Sequence, residues 1–391
     1  MRRIIIKEAR PEMTVGRAVV EEGGGMRVVL AQAGEVLTVE RLLQLHEKGV
    51  YDLWVDDPGL EFFDSLCAQR TGAQLELVEG LRDSFLRLAP FMPRDLITRH
   101  GVLVEEVLGA LVRTAPTVPC FGALVEDEKL LAHSCDVAAV STMLGLQLEN
   151  YLIEQRRRLN GRQAGDVANL ALGALLHDVG ELMLPHGQRE SQEAEMDGEE
   201  WKQHVREGYR MVHGRVDASA AGVILHHHQK FDGTGFGGLA VEGKWMAGSE
   251  GLSGGAIHIF ARIVMAADVL CRVLFAGSRL PQPMVRALWE VQQVPLRMAF
   301  DPVVHGCLMG TFQPFVAGMV VMLSDNRQAV VTAVDGRYPC YPEVRAMTDA
   351  EEGGDRDVRL AERGDLRVSM VDGVDVERYL YGARKAAPLA A

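Results

Sequence analysis

The segments His177-Asp178-Val179-Gly180 and His226-His227-His228-Gln229-Lys230-Phe231-Asp232-Gly233 are the densest concentrations of metal-ligating side chains in this sequence. Eight of the twelve histidines fall between His133 and His228. Neutral imidazole and carboxylate are donors that zinc, iron and manganese accept, so these residue types beside apolar helical runs point to a metal centre. Adjacent residues on a helix point about 100° apart, so His177 can give its imidazole to one ion while the Asp178 carboxylate reaches across to a second. Two ions about 3.5–4 Å apart generate hydroxide at neutral pH and clamp the attacking and leaving oxygens of a phosphoryl centre. The donor set favours phosphodiester hydrolysis over redox work, with a di-iron oxygenase left open by ligand type alone.

Three apolar helices are expected to aim these groups inward. Residues 166–177 carry Val167, Leu170, Ala171, Ala174 and Leu175 on one face, which places His177 and Asp178 at the C-terminal end of a buried helix. Residues 219–228 repeat the arrangement with Val223, Ile224 and His227, and residues 257–274 hold Asp268 inside an otherwise apolar helix. The fold class that follows is mainly α, with small β-rich modules at either end. Residues 1–58 form the first module, in which Thr38 caps a helix and Gly49 stops it. Residues 59–116 read as a helical linker and a candidate dimer surface, and residues 117–312 as the helical metal domain. Residues 313–391 return to strands in a small β-barrel-like extension with an acidic insert, Glu351 to Asp355, and a tail.

Composition narrows the function classes. A formal charge of −13, from 41 basic and 54 acidic residues, argues against broad binding to a nucleic-acid polymer. An anionic ligand must then be met by a local cation or metal. The six cysteines are dispersed without a CxxC pair, as expected of thiols in a reducing cytosol. The apolar run after Met1 is too short for a signal peptide. Asp166, Arg262 and Asp268 interrupt the best candidates for a membrane span, so a cytoplasmic protein is expected.

The motifs also occur in a telling order. His177-Asp178-Val179-Gly180 is followed by Pro185, by His204 with Gly208, and by His227-His228 with Asp232-Gly233-Thr234-Gly235-Phe236. Ala267-Asp268-Val269 and Phe300-Asp301-Pro302 come last. Over residues 120–312 this series resembles the HD-GYP branch of the HD phosphohydrolase superfamily. The resemblance implies a helical domain that holds two, sometimes three, divalent ions, iron or manganese, and hydrolyses cyclic di-GMP by attack of a hydroxide bridging two metals. It implies His133, His177, Asp178, His204, His227, His228 and Asp268 as ligands, with Asp178 the bridge and His177 and Asp178 the catalytic pair. Arg279 is implied as a phosphate-contacting cation, and Lys230 is a candidate to add charge there. Arg10-Pro11-Glu12-Met13 and Gly318 to Asp325 resemble accessory segments found beside this domain.

Several positions depart from the family pattern. Glu181 stands where lysine follows His-Asp-x-Gly, Gly235-Phe236-Gly237 replaces Gly-Tyr-Pro, and Gln229 replaces the glutamate after His-His. Lys129 stands where trinuclear members place a glutamate, which implies two ions. If Glu181 faces the substrate, each unit of altered charge is worth about 4 kcal/mol at 4 Å and an effective dielectric near 20; facing solvent, it costs little. Two other readings follow: a metal-holding sensor or scaffold that regulates signalling partners without turnover, and a hydrolase of another cyclic nucleotide. His186, His213, His258 and His305 lack motif partners and read as structural, and His226 is expected to point away from the metals. Arg156-Arg157-Arg158 reads as a solvated helix face, and Gly233 to Gly238 as a loop lining the pocket.

Overall fold

Thr38 starts the first helix as expected: its hydroxyl accepts the amide of Arg41 at 3.1 Å, and Gly49, at φ +73°, follows the helix end. The computed structural model describes residues 2–6, 9–23, 26–56, 60, 62–68, 70–184, 201–237, 239–241, 244–246, 251–275, 282–347 and 357–382. Pro185, His186, Arg279 and the acidic insert at 351–355 lie outside these residues. The N-terminal module comprises β1 (Arg2–Ile5), β2 (Thr14–Val15), β3 (Val19–Gly23), β4 (Met26–Ala31), α1 (Val39–Glu47) and β5 (Asp52–Asp56). A three-stranded sheet runs in the order β1-β5-β2, and β3 and β4 form a hairpin. Val15, Leu37, Leu42, Leu45, Leu53 and Val55 close its core.

Helices follow without a strand for more than a hundred residues. They are α2 (Phe62–Cys67), α3 (Ala73–Leu88), α4 (Arg94–Thr114), α5 (Phe121–Glu126), α6 (Glu128–Gln147), α7 (Glu149–Gln155), α8 (Gly161–Gly165) and α9 (Ala168–Leu175). After a 3-10 segment at Val179–Met183 come α10 (His204–Val212), α11 (Ala218–His226), the hairpin β6 (Leu239–Val241) and β7 (Lys244–Met246), and α12 (Ile259–Phe275). The last helices are α13 (Met284–Glu290), α14 (Leu296–Ala299) and α15 (Pro302–Thr311). Fourteen of the twenty residues of α6 are buried, so it is covered on all sides and serves as the axis on which α3, α9 and α12 pack. No helix among the described residues is long and apolar enough to cross a membrane.

The chain ends in β8 (Val320–Leu323), β9 (Gln328–Ala333), β10 (Glu343–Ala346), β11 (Asp357–Arg359), β12 (Val368–Val371) and β13 (Val374–Asp375). These form a six-stranded antiparallel sheet in the order β11-β10-β9-β8-β12-β13. Its outer strands are not paired with each other among the described residues, so the expected barrel-like extension takes the form of an open sheet. Two compact units result. One comprises residues 1–61, 283–289 and 313–391, and the other residues 62–282 and 290–312. The expected linker helices thus belong to the helical unit, where buried Asp136 of α6 pairs with Arg87 of α3. The mainly α class with small β-rich segments at both ends is borne out.

Phe300-Asp301-Pro302 has a visible structural task. Asp301 caps α15, accepting the amides of Val303 at 2.8 Å and Val304 at 3.4 Å, with Pro302 in the first turn, where proline has no amide to lose. Its other oxygen takes Arg262 Nη1 at 2.5 Å and the Tyr151 hydroxyl at 2.9 Å, and Arg262 also donates to Gln155 at 2.7 Å. Arg262 is 5% exposed and belongs to the helix that carries Asp268. Arg262→Ala leaves the Asp301 charge buried without its guanidinium, and we expect a loss of about 3–5 kcal/mol of unfolding free energy. Denaturant titration with helical circular dichroism measures it, and a loss under about 1 kcal/mol, the range of an exposed pair, would refute this account. The arginine run of residues 156–158 is exposed at Arg157 and Arg158, as read from the sequence, but not at Arg156. It occupies the turn after α7, and Arg156 is half-buried over the Phe260 ring at 4.4 Å, donating to the Ala164 carbonyl at 2.8 Å.

Candidate metal centre

The helices end where the chemistry begins. His177 and Asp178 follow the last turn of α9, His204 opens α10, His227 and His228 follow α11, His133 lies on α6, and Asp268 on α12. Carbonyls at a helix end lack intrahelical donors, and histidine uses this here. Nδ1 of His177 lies 2.7 Å from the Ala174 carbonyl, and Nδ1 of His227 lies 3.0 Å from that of Ile224. At the start of α10, Nδ1 of His204 is 2.7 Å from the Trp201 carbonyl. Each ring bonds the carbonyl three residues earlier. That contact has Nδ1–H donating to the carbonyl and turns the Nε2 edge of each ring toward the centre, the outer-shell arrangement that orients histidine ligands.

All seven histidines and aspartates expected as ligands come together. They form two groups, His133–His177–Asp178–Asp268 and Asp178–His204–His227–His228, each with donor atoms within 4.8 Å of one another. Asp178 belongs to both. Its Oδ2 lies 3.1 Å from His177 Nε2, and its Oδ1 lies 3.1 Å from His227 Nε2 and 3.3 Å from His204 Nε2. His133 Nε2 lies 2.9 Å from Asp268 Oδ1. His177, Asp178, His204, His227 and Asp268 are almost wholly buried, and Nε2 of His228 is buried without a hydrogen-bond partner among the described residues. A buried polar atom without a partner is costly; here it belongs to a donor set of the kind that divalent ions accept, so the residues fit a metal.

The electrostatics fit the same use. Burial takes His227 down to about 4, against the pull of Asp178, and, with His227 and His204 nearby, holds His228 well below the usual range. Both imidazoles are therefore neutral donors, the form a metal requires. Burial opposes charge on His177, yet the Asp178 and Asp268 carboxylates outweigh it and push that imidazole up to about 10. Burial would raise the two aspartates, but His177 and Arg272 hold Asp178 well below the carboxylate range, and Arg272 and His133 do the same for Asp268.

Glu181 is neither open to solvent nor a free anion. It is 8% exposed, accepts the Trp201 indole N–H at 3.0 Å, and is pushed up to about 7 by burial and by the neighbouring Asp178 charge. Trp201 also packs on His204, with ring centroids 4.5 Å apart, while Phe236 stacks on His228 at 4.7 Å. The phenylalanine of the altered Gly-Phe-Gly segment thus buttresses one of the candidate ligands. Gly237 and Gln229 are sterically matched. The Gln229 carboxamide fills the space where a Cβ on Gly237 would stand, and its Oε1 would likewise meet a Cβ on Gly251. Lys230 is half-buried at the start of the loop after the histidine run. His226 is in neither donor group. His213 is exposed, and His258 and His305 are half-buried.

Arg272 and Trp201 were not anticipated from the sequence. Arg272 lies four residues after Asp268, one helical turn on, and places Nε 2.8 Å from Asp268 Oδ1 and Nη2 2.7 Å from Asp178 Oδ2. Trp201 precedes His204 by three residues and supplies both its carbonyl partner and a ring.

A buried, helix-end cluster of histidines around a shared aspartate is an arrangement that could hold metal ions, and residues 130–273 match the HD domain family. Over 299 residues, 73% of this chain, the sequence is 27% identical to the cyclic di-GMP phosphodiesterase PA4108 of Pseudomonas aeruginosa, covering 62% of that protein. Over 121 residues, 30% of this chain, it is 31% identical to the cyclic di-GMP phosphodiesterase response regulator RpfG of Xanthomonas campestris pv. campestris, covering 29% of it. The chain therefore spans less than two thirds of the length of either relative. Among solved structures it aligns with Bd1817, a HDG"Y"P protein from Bdellovibrio bacteriovorus, at a TM-score of 0.32 and 15% identity, over 78% of this chain and 97% of that one. The resemblance read from the sequence is borne out by the family match and by the two bacterial relatives.

Proposed function

We propose that this protein is a metal-dependent phosphodiesterase of HD-GYP type that opens cyclic di-GMP. One observation carries the reading: the two oxygens of buried Asp178 face two different sets of histidines. Two divalent ions, iron or manganese, would be held by His133, His177, Asp178 and Asp268 on one side and by Asp178, His204, His227 and His228 on the other. When bound, such a pair supplies a nucleophile at neutral pH and neutralises charge developing on the phosphoryl group. The protein's own part is to hold every donor in place. The carbonyls of Ala174, Trp201 and Ile224 fix the imidazole tautomers, Asp178 spans the two groups, and the Trp201 and Phe236 rings wall the His204 and His228 side. Lys230 and Arg279 are the proposed phosphate-facing cations, and Glu181 is the third residue proposed to bind substrate.

Protein purified without oxygen and resupplied with iron or manganese should hold two ions per chain and release the linear dinucleotide or GMP from cyclic di-GMP. A second reading, a metal-holding sensor without turnover, is favoured by the buried acid Glu181 where the resemblance expects a lysine. Calorimetry separates the two: tight binding of cyclic di-GMP to metal-loaded protein without product selects the sensor. Absence of binding redirects the search to another cyclic nucleotide.

A further inference from the structure

The two donor groups share Asp178 but differ in the charge set against them. The Arg272 guanidinium lies on Asp178 Oδ2 at 2.7 Å and on Asp268 Oδ1 at 2.8 Å, the two carboxylate oxygens of the His133–His177–Asp178–Asp268 group. Asp178 Oδ1, the oxygen of the other group, faces His204 and His227 and takes no guanidinium among the described residues. Arginine cannot shed its charge at any ordinary pH, and its fork suits two carboxylate oxygens at once. Its side chain is only 25% exposed, so water screens the contacts little.

We infer that Arg272 is a built-in counterion that competes with the metal at the His133–His177–Asp178–Asp268 group alone, making the two metal sites unequal, with the Asp178–His204–His227–His228 group the tighter. This rests on the metal-centre reading above. An ion entering the Arg272 side must draw both carboxylates away from a fixed cation and then share their charge with it. An ion entering the other side meets three imidazoles, His204, His227 and His228, and an Asp178 oxygen that takes no guanidinium among the described residues. Arg272 thereby makes occupancy of the second ion a function of free metal concentration.

Titrating Mn2+ into the metal-free full-length chain by calorimetry, with metal counted per chain, tests this. The wild type should show two classes of site whose dissociation constants differ by at least about tenfold, the scale set by one fixed cation at contact distance. His133→Ala removes a donor found only in the Arg272 group, and should abolish the weaker class and spare the tighter one. Arg272→Gln should tighten the weaker class by at least about tenfold and change the other much less, while Arg272→Lys, which keeps the charge without the fork, should fall between. The inference is overturned if His133→Ala removes the tighter class, if the two classes are equal in the wild type, or if Arg272→Gln leaves the weaker class unchanged or weakens it. A wild-type chain that takes up no Mn2+ overturns the metal-centre reading and this inference with it. The His133→Ala arm decides the matter even if Arg272→Gln does not fold.

Discussion

Asp178→Ala should empty both donor groups at once and reduce cyclic di-GMP turnover to background. Every other candidate ligand belongs to a single group, whereas Asp178 contributes one oxygen to each. Changing a partner that merely orients a ligand costs about 10–100-fold in metal affinity, so removal of the shared ligand itself should cost at least about a hundredfold at both groups. Asp268→Ala is the informative contrast, since Asp268 belongs only to the group with His133 and His177. It should lower the metal count from two to one, while Asp178→Ala lowers it toward zero. The experiment is metal analysis of each purified variant after resupply and desalting, alongside product quantification. Two ions retained by Asp178→Ala, or turnover surviving in it, would refute both the shared-ligand geometry and the mechanism built on it.

What the sequence made legible and what it hid have separate physical causes. His177-Asp178 and His227-His228 could be read because each pair sits at the end of a strongly apolar helix, so burial and direction followed from periodicity. Arg272 was hidden because an arginine near a helix end ordinarily signals a solvated face; only the knowledge that Asp268 is buried, one turn before it, turns that arginine inward. Glu181 was posed as a choice between substrate and solvent. The structure gives a third outcome because the Trp201 indole, twenty residues away, reaches its carboxyl. Long-range partners of this kind carry no local signal. The open order of the C-terminal sheet was equally out of reach: alternation predicts strands, and β8, β9 and β10 fall where expected, but closure depends on how the outermost strands are paired.

The glycine of His-Asp-x-Gly has a steric task that yields a second large effect. A Cβ on Gly180 would overlap the carbonyl of His204 and the amide of Gly208, backbone atoms of α10 that cannot rotate away. Gly208 in turn faces Gly180 and Ile224, so the 3-10 segment at Val179–Met183 and α10 meet glycine against glycine. Gly180→Ala must push α10 outward, and α10 begins with His204, whose Nε2 is 3.3 Å from Asp178 Oδ1. Overpacking of this sort costs about 1–3 kcal/mol in stability. The larger consequence is chemical. The Asp178–His204–His227–His228 group should lose a donor and its ion, while the other group, held by α6, the end of α9 and α12, keeps its own. Gly180→Ala should therefore remain folded, bind about one ion in place of two, and lose turnover, because a single ion would not supply the stabilisation of both attacking and leaving oxygens that a pair would. Gly208→Ala should be milder, since the first atom its Cβ meets is the Ile224 side chain, which can shift. Thermal unfolding and metal counts on both variants decide the matter. Retention of two ions at wild-type affinity in Gly180→Ala would show that His204 is not held in place by the close approach of these two segments.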